Sequence, residues 1–190
     1  MNLPLIVDKT YNNVDFTISE LPKAEYDNCT FTECDLSNSF LSNISFSDCE
    51  FIDCNLSNIK IKGASFKNIS FSNCKMLGFP LYECNPFLLE CSFNHCNLSL
   101  ASFYKLNLKN TKFHTCNLQA VDFTETNLVN ASFEICNLAE ATFDNSNLEK
   151  ADFTSAKNYS IHPERNKLKG AKFSQEGLIG LLSMYNIKVE

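Results

Sequence analysis

An apolar residue stands at every fifth position of this chain over most of its length. From Phe16 the series runs through Leu21, Tyr26, Phe31 and Leu36 to Leu81, fourteen positions in all. It resumes at Leu88 after a two-residue offset and continues through Phe93, Leu98 and Phe103 to Phe153, fourteen more. An α-helix repeats about every 3.6 residues and a strand every two, so neither produces this spacing. A strict short period specifies a solenoid.

The residue two before most centres is small or modest, as at Ala101, Thr111, Ala131, Ala141 and Ala151, and it is often Cys. The remaining positions are mostly polar. Units such as Cys136-Asn137-Leu138 and Ala151-Asp152-Phe153 resemble those of the pentapeptide-repeat family, over about residues 14–155. That resemblance implies an all-β solenoid, a right-handed quadrilateral β-helix with four units, or twenty residues, per coil. The residues offer an independent check on twenty. Every fourth centre gives Phe31, Phe51, Phe71, Phe93, Phe113, Phe133 and Phe153 on one face. The next face gives Leu36, Leu56, Met76, Leu98, Leu118 and Leu138. The columns match only if residues 82–87 hold two extra residues as a bulge. Like side chains then stack at about 4.8 Å, the distance between neighbouring strands.

The domain reading has three parts. Residues 1–13 are an N-terminal lead-in or cap, and 14–173 are the β-helix, with the bulge at 82–87 and a break in the pattern at 156–168. Residues 174–190 are a C-terminal helix and dimerisation tail. Ser174 suits an N-cap and Glu176 the first turn. Leu178, Ile179, Leu181, Leu182 and Tyr185 form an apolar stripe, and Ile187 and Val189 alternate with polar residues like a short strand. A helix of about ten residues with Gly177 and Gly180 is marginal alone, so it must pack. Solenoid ends need caps, and the stripe exceeds what a cap requires. We therefore expect a homodimer through Leu178, Leu181, Leu182 and Tyr185.

The chain carries ten cysteines. Pairs such as Cys29/Cys34, Cys49/Cys54 and Cys91/Cys96 could be read as metal ligands, but they sit at the small inner position, where Cys serves as a compact hydrophobe. All but Cys84 fall at that position. No metal or cofactor is expected, and Cys84 in the bulge is the one thiol expected to react. A column of reduced thiols fits a cytoplasmic location. No apolar run approaches a membrane span, and the apolar start at 1–7 lacks the basic region of a signal peptide.

A narrower resemblance rests on Cys74-Lys75-Met76-Leu77-Gly78. It is similar to a stretch midway along topoisomerase-protecting pentapeptide proteins of the Qnr-type quinolone-resistance and albicidin-resistance kinds. Asn158-Tyr159-Ser160-Ile161, His162-Pro163-Glu164 and the end from Lys169 to Ser174 are similar to albicidin-resistance and microcin-immunity relatives. What this implies is a dimeric rod that binds DNA gyrase or topoisomerase IV and imitates duplex DNA. The expected contacts are Tyr82, Glu83, Asn85, Pro86 and Phe87 of the bulge, with Asp35, Glu50 and Asp53 as an acidic surface.

Charge tests that implication. The net charge is −6, so a dimer carries −12. A duplex as long as an end-to-end dimer of about 75 Å carries about 44 charges. Any imitation therefore relies on shape and local acidic bands, one over residues 24–59 and one over 113–149, both without Lys or Arg. Direct nucleic-acid binding is not expected of an acidic chain with interior aromatics. Nor is catalysis: His114 pairs at best with Glu134 one coil away, with no nucleophile or oxyanion donor. His95 and His162 add no such partner. The leading reading is a non-catalytic rod that protects a type II topoisomerase from a drug or toxin. The alternative is a structural or adaptor scaffold for another protein.

Overall fold

The computed structural model describes residues 3–185 and 187. The chain winds into a right-handed parallel β-solenoid of about eight coils with four faces. One face is a nine-stranded parallel sheet from Thr10–Asn12 through Thr30–Thr32, Glu50–Ile52 and Ile69–Ser72 to Lys172–Phe173. We call this face one, and number the others in the order the chain visits them. Face four carries a second sheet, Leu5–Val7, Glu25–Asp27, Ser45–Ser47 and Ser65–Lys67. Partners lie twenty residues apart, as in Phe31 with Phe51 and Phe113 with Phe133. The spacing rises to 22 once, where Phe71 meets Phe93.

Each coil needs three backbone features. The unit centre points inward in an extended conformation, the small residue before it fills the inner corner, and the chain then turns. The turn residue adopts a left-handed backbone. Asn28, Asn38, Asn43 and Asn58 do so at φ 51 to 61°, as do Gly63, Gly78 and Gly170. Asn tolerates this region because its short side chain bonds locally, which explains why the chain is rich in Asn and needs few Gly.

The interior is made of columns. Phe31 and Phe51 stack at 4.7 Å, Phe93 and Phe113 at 5.2 Å, and Phe133 and Phe153 at 4.6 Å, with near-parallel rings. Edge-on contacts join neighbouring columns, such as Phe113 to Phe123 at 5.9 Å. Each buried Phe contributes about 1.5–3 kcal/mol by leaving water, and its aromatic pairs add about 1 kcal/mol. The cysteine column, Cys34, Cys54, Cys74, Cys96, Cys116 and Cys136, is fully buried. The Cys54 thiol donates to the carbonyls of Phe31, one coil below, and Ile52, both at 3.3 Å, and the other thiols repeat this pattern. Asn side chains also bond along the stack. Asn127 donates to Asn107 at 2.8 Å, and Asn117 to Asn97 at 3.4 Å.

Three readings of the sequence need correction. Asn85 pairs with Ser65 and Cys91 with Ile69. The two extra residues therefore fall between 85 and 91, later than the 82–87 reading placed them. Cys84 consequently sits beside Ala64 in an inner column, because Asn85 bonds back to the Ala64 carbonyl at 2.7 Å. It is 6% exposed and burial pushes its thiol up to about 12, so it is not the reactive one. Leu88 does not resume the interior series. It is 63% exposed and left-handed at φ 57°, while Leu89 packs against the core.

The break at 156–168 is one of sequence pattern, not of coil length. Asn137 pairs with Lys157 and Asn147 with Lys167, each twenty residues on, and buried Tyr159 and Ile161 fill the interior. The C-terminal cap follows. Ser174 Oγ accepts the Gly177 amide at 3.0 Å, as an N-cap would. The helical run has one α turn, Ile179–Leu182, between 3-10 turns at Glu176–Leu178 and Ser183–Tyr185. Ile187 is exposed and lies in no strand, and Val189 is outside the described residues.

Candidate protein-binding surfaces

The outward residues of each coil flank its inward centre, so register fixes where every predicted contact lies. Glu50 stands on face one, Asp35 on face two, and Asp53 in the turn between them, stacked over Glu33. These acids gather around one edge of the rod. The Asp35 carboxylate accepts the Ser37 amide at 2.8 Å, and none of the four makes an ion pair among the described residues.

The bulge lies elsewhere. Tyr82 is on face three, and Glu83 occupies the turn above Gly63 that leads to face four. Asn85 starts face four, and Pro86 and Phe87 follow. Tyr82 bonds Glu83 through its hydroxyl at 3.1 Å, and Asn85 Oδ1 accepts the Phe87 amide at 3.0 Å. Phe87 is 67% exposed. The bulge thus runs from face three across face four, whereas the acidic group lies around the edge between faces one and two.

Acids of the C-terminal half are spread further, and four of them have a basic neighbour. Glu125 meets Lys105 at 3.4 Å, Asp144 meets Arg165 at 3.6 Å, and Asp152 meets Lys172 at 3.4 Å. Glu134 Oε2 lies 3.1 Å from His114 Nδ1, the pair foreseen from spacing. The His95 ring lies beside it, with centroids 5.6 Å apart. The cysteine thiols are buried within the rod. The acids therefore form two separate bands rather than one stripe along the rod.

Of the tail residues, Leu178 and Tyr185 are exposed, whereas Leu181 packs against the core as part of the cap. Leu182 is half-buried. Ile179, adjacent to Leu178, is more exposed than either and joins them in an apolar group at the rod's end. No helix among the described residues is long and apolar enough to cross a membrane. No cluster of His, Cys, Asp or Glu among them has metal-binding geometry.

A filled, four-sided coil stack with a helical lid and outward polar ladders is a scaffold whose working surfaces are its faces and edges. The chain belongs to the pentapeptide-repeat family: the family described as "Pentapeptide repeat region" matches residues 6–79 and 88–173. No curated protein matches it. Among solved structures it is similar to a trypsin-treated variant of QnrB1, a plasmid-mediated fluoroquinolone resistance protein, with TM-score 0.61, 18% identity and 100% of both chains covered. It is also similar to HetL, a pentapeptide repeat protein involved in heterocyst differentiation regulation from the cyanobacterium Nostoc sp. Strain PCC 7120. There the TM-score is 0.62 and identity 16%, over 93% of this chain and 89% of that one. At these identities the likeness shows a common fold.

Proposed function

We propose that this chain is a non-catalytic binding rod whose partner is a type II topoisomerase, and that it protects the enzyme from a drug or toxin. One observation carries the reading. Glu33, Asp35, Glu50 and Asp53 form an acidic edge on a rod, without ion pairs among the described residues, so a basic DNA-binding groove meets charge it need not first strip of partners. The similarity of Cys74-Lys75-Met76-Leu77-Gly78 to topoisomerase-protecting relatives supports it, as does the QnrB1-like fold. Imitation of DNA would be local to this edge, since the acids form no continuous stripe. The protein would act in the cytoplasm, where its target resides.

The exposed group of Leu178, Ile179 and Tyr185 favours a homodimer through the C-terminal end. A rod doubled in this way presents two acidic edges to one symmetric enzyme. Gyrase supercoiling with purified protein, with and without a fluoroquinolone, tests the function at two salt concentrations. Restored supercoiling, or inhibition that weakens with salt, is expected. No effect under any condition sinks the topoisomerase reading and leaves the scaffold for another protein.

A further inference from the structure

We propose that face four and the edge it shares with face three, around the inserted loop, dock an acidic segment of a partner protein that also carries apolar side chains. The inference goes beyond the topoisomerase reading, because it holds whichever protein supplies the segment.

Charge is the first observation. Residues 60–112 contain seven Lys and two Glu and neither Asp nor Arg, a net of +5. The rest of the chain contains nine Lys or Arg and twenty acids, a net of −11, which together recover the total of −6. The middle of the rod is therefore a basic belt in an acidic protein.

The fold concentrates that belt at the loop. Lys60 and Lys62 flank buried Ile61 on face three, one coil below Tyr82. Lys67 lies on face four between Ser65 and Ile69, whose partners Asn85 and Cys91 mark where the loop leaves and rejoins the coil. A cleft of about 430 Å³ on the far side of the loop, where face four turns into face one, brings Leu89 and Glu90 together with Lys109 and Lys112 of the next coil. Lys60, Lys62, Lys67 and Lys109 make no ion pair among the described residues.

Apolar exposure is the second observation, and it is independent of charge. Phe87 and Leu88 are 67% and 63% exposed at the loop's turn, and Tyr82 is 47% exposed beside it. Exposed aromatics ringed by polar and charged groups mark a protein interface.

Together these features select a protein segment over a nucleic acid. The belt spans about three coils, roughly 14 Å. Glu20, Glu25 and Asp27 lie on the same faces below it, and Asp122 and Asp144 on face three above it. These acids stand near enough to oppose a long polyanion laid along the rod, given a screening length of about 8–10 Å. A short acidic stretch meets only the lysines, and its apolar side chains cover Phe87 and Leu88.

Fluorescence anisotropy tests the proposal with the whole protein. The probes are a labelled peptide of Glu and Asp interspersed with Leu and Phe, the same peptide with Gln for every acid, and a labelled single-stranded oligonucleotide. Two variants are compared with the parent: Lys60→Glu with Lys62→Glu and Lys109→Glu, and Phe87→Ser with Leu88→Asn. All five side chains point outward, Asn tolerates the left-handed backbone of position 88, and thermal melts confirm that each variant is folded. The acidic peptide should bind in a salt-sensitive way, and each variant should weaken it at least tenfold. The proposal is overturned if the Gln peptide binds equally well, if neither variant alters binding, or if the oligonucleotide binds more tightly than the acidic peptide. Supercoiling plays no part in this assay, so it and the topoisomerase reading can fail separately.

Discussion

The amide of Ile161 donates to the carbonyl of Gly180 at 3.0 Å, and Gly180 itself lies flush against Tyr159. A Cβ at position 180 would run into the Tyr159 carbonyl and ring. This contact seats the cap on the last coil, and it makes a test that opposes intuition about helices. Gly180→Ala removes a helix-weakening Gly, worth about 1 kcal/mol in a free helix. Here overpacking wins, and the variant should lose about 1–3 kcal/mol. A melting temperature equal to or above the parent's would show that the cap is not seated as described.

Cys84 provides a second test. Its thiol is buried in an inner column and pushed up to about 12, chiefly by that burial. Thiolate forms only above the pKa, so at pH 8 the group is protonated as well as inaccessible. Native protein should react slowly with a thiol reagent, and Cys84→Ser should not change the rate. Full reactivity should return in denaturant. Rapid labelling of one native thiol, lost in Cys84→Ser, would contradict the inner position.

Ile135 occupies a turn at φ 55° with its side chain 55% exposed. A β-branched residue is poorly suited to a left-handed backbone, and the cost for an L-residue is about 1–2 kcal/mol. Asn is the chain's usual choice at such turns. Ile135→Asn should raise stability by about 1 kcal/mol in urea unfolding, since the amide bond from Ile135 to Ser155 Oγ uses only backbone on that side. Unchanged or reduced stability would show that the exposed Ile side chain contributes something the turn geometry does not reveal.

The dimer proposal distinguishes between neighbouring residues of the tail. Leu178 and Ile179 are exposed, but Leu181 packs on the core. Leu178→Glu with Ile179→Glu should give folded monomers by light scattering, with little change in melting of the coils. Leu181→Asp should instead loosen the cap and lower the melting temperature. Dimers that survive the first pair of changes, or a parent that is monomeric at micromolar concentration, would rule out association through this end.

Much of this architecture could be read from the sequence because the interior repeats. Phe31, Phe51 and Phe71 predict one another, and the Cys34-to-Cys136 column follows from their register. The His114–Glu134 contact was foreseeable by the same counting. Register failed where the period did. Cys84-Asn85 continues the unit register above Ala64-Ser65, but exposed Pro86 supplies no apolar centre after them, so the insertion is placed too early and Cys84 is read as exposed. The separation of the acidic edge from the bulge was harder to see. It depends on which of four edges each turn residue occupies, and Asp35, Glu50 and Asp53 are near the bulge in sequence but not around the rod.

The change in spacing from 20 to 22 between Phe71 and Phe93 also bears on how the chain finds its fold. Coils with nearly the same lining can pair one step out of phase at small energetic cost, because Phe still meets Phe and Asn still meets Asn. A uniform chain would thus face a ladder of misaligned products. The loop ending in Leu89 and Glu90 breaks that translational symmetry: it has one place where its extra length fits, and any shifted pairing must bury or strain it. The irregularity works as an indexing mark. Excising the exposed Phe87 and Leu88 should leave native stability close to the parent's, yet lower the yield of correctly refolded rods and lengthen refolding. Equal yields and rates in both chains would show that phase is set elsewhere.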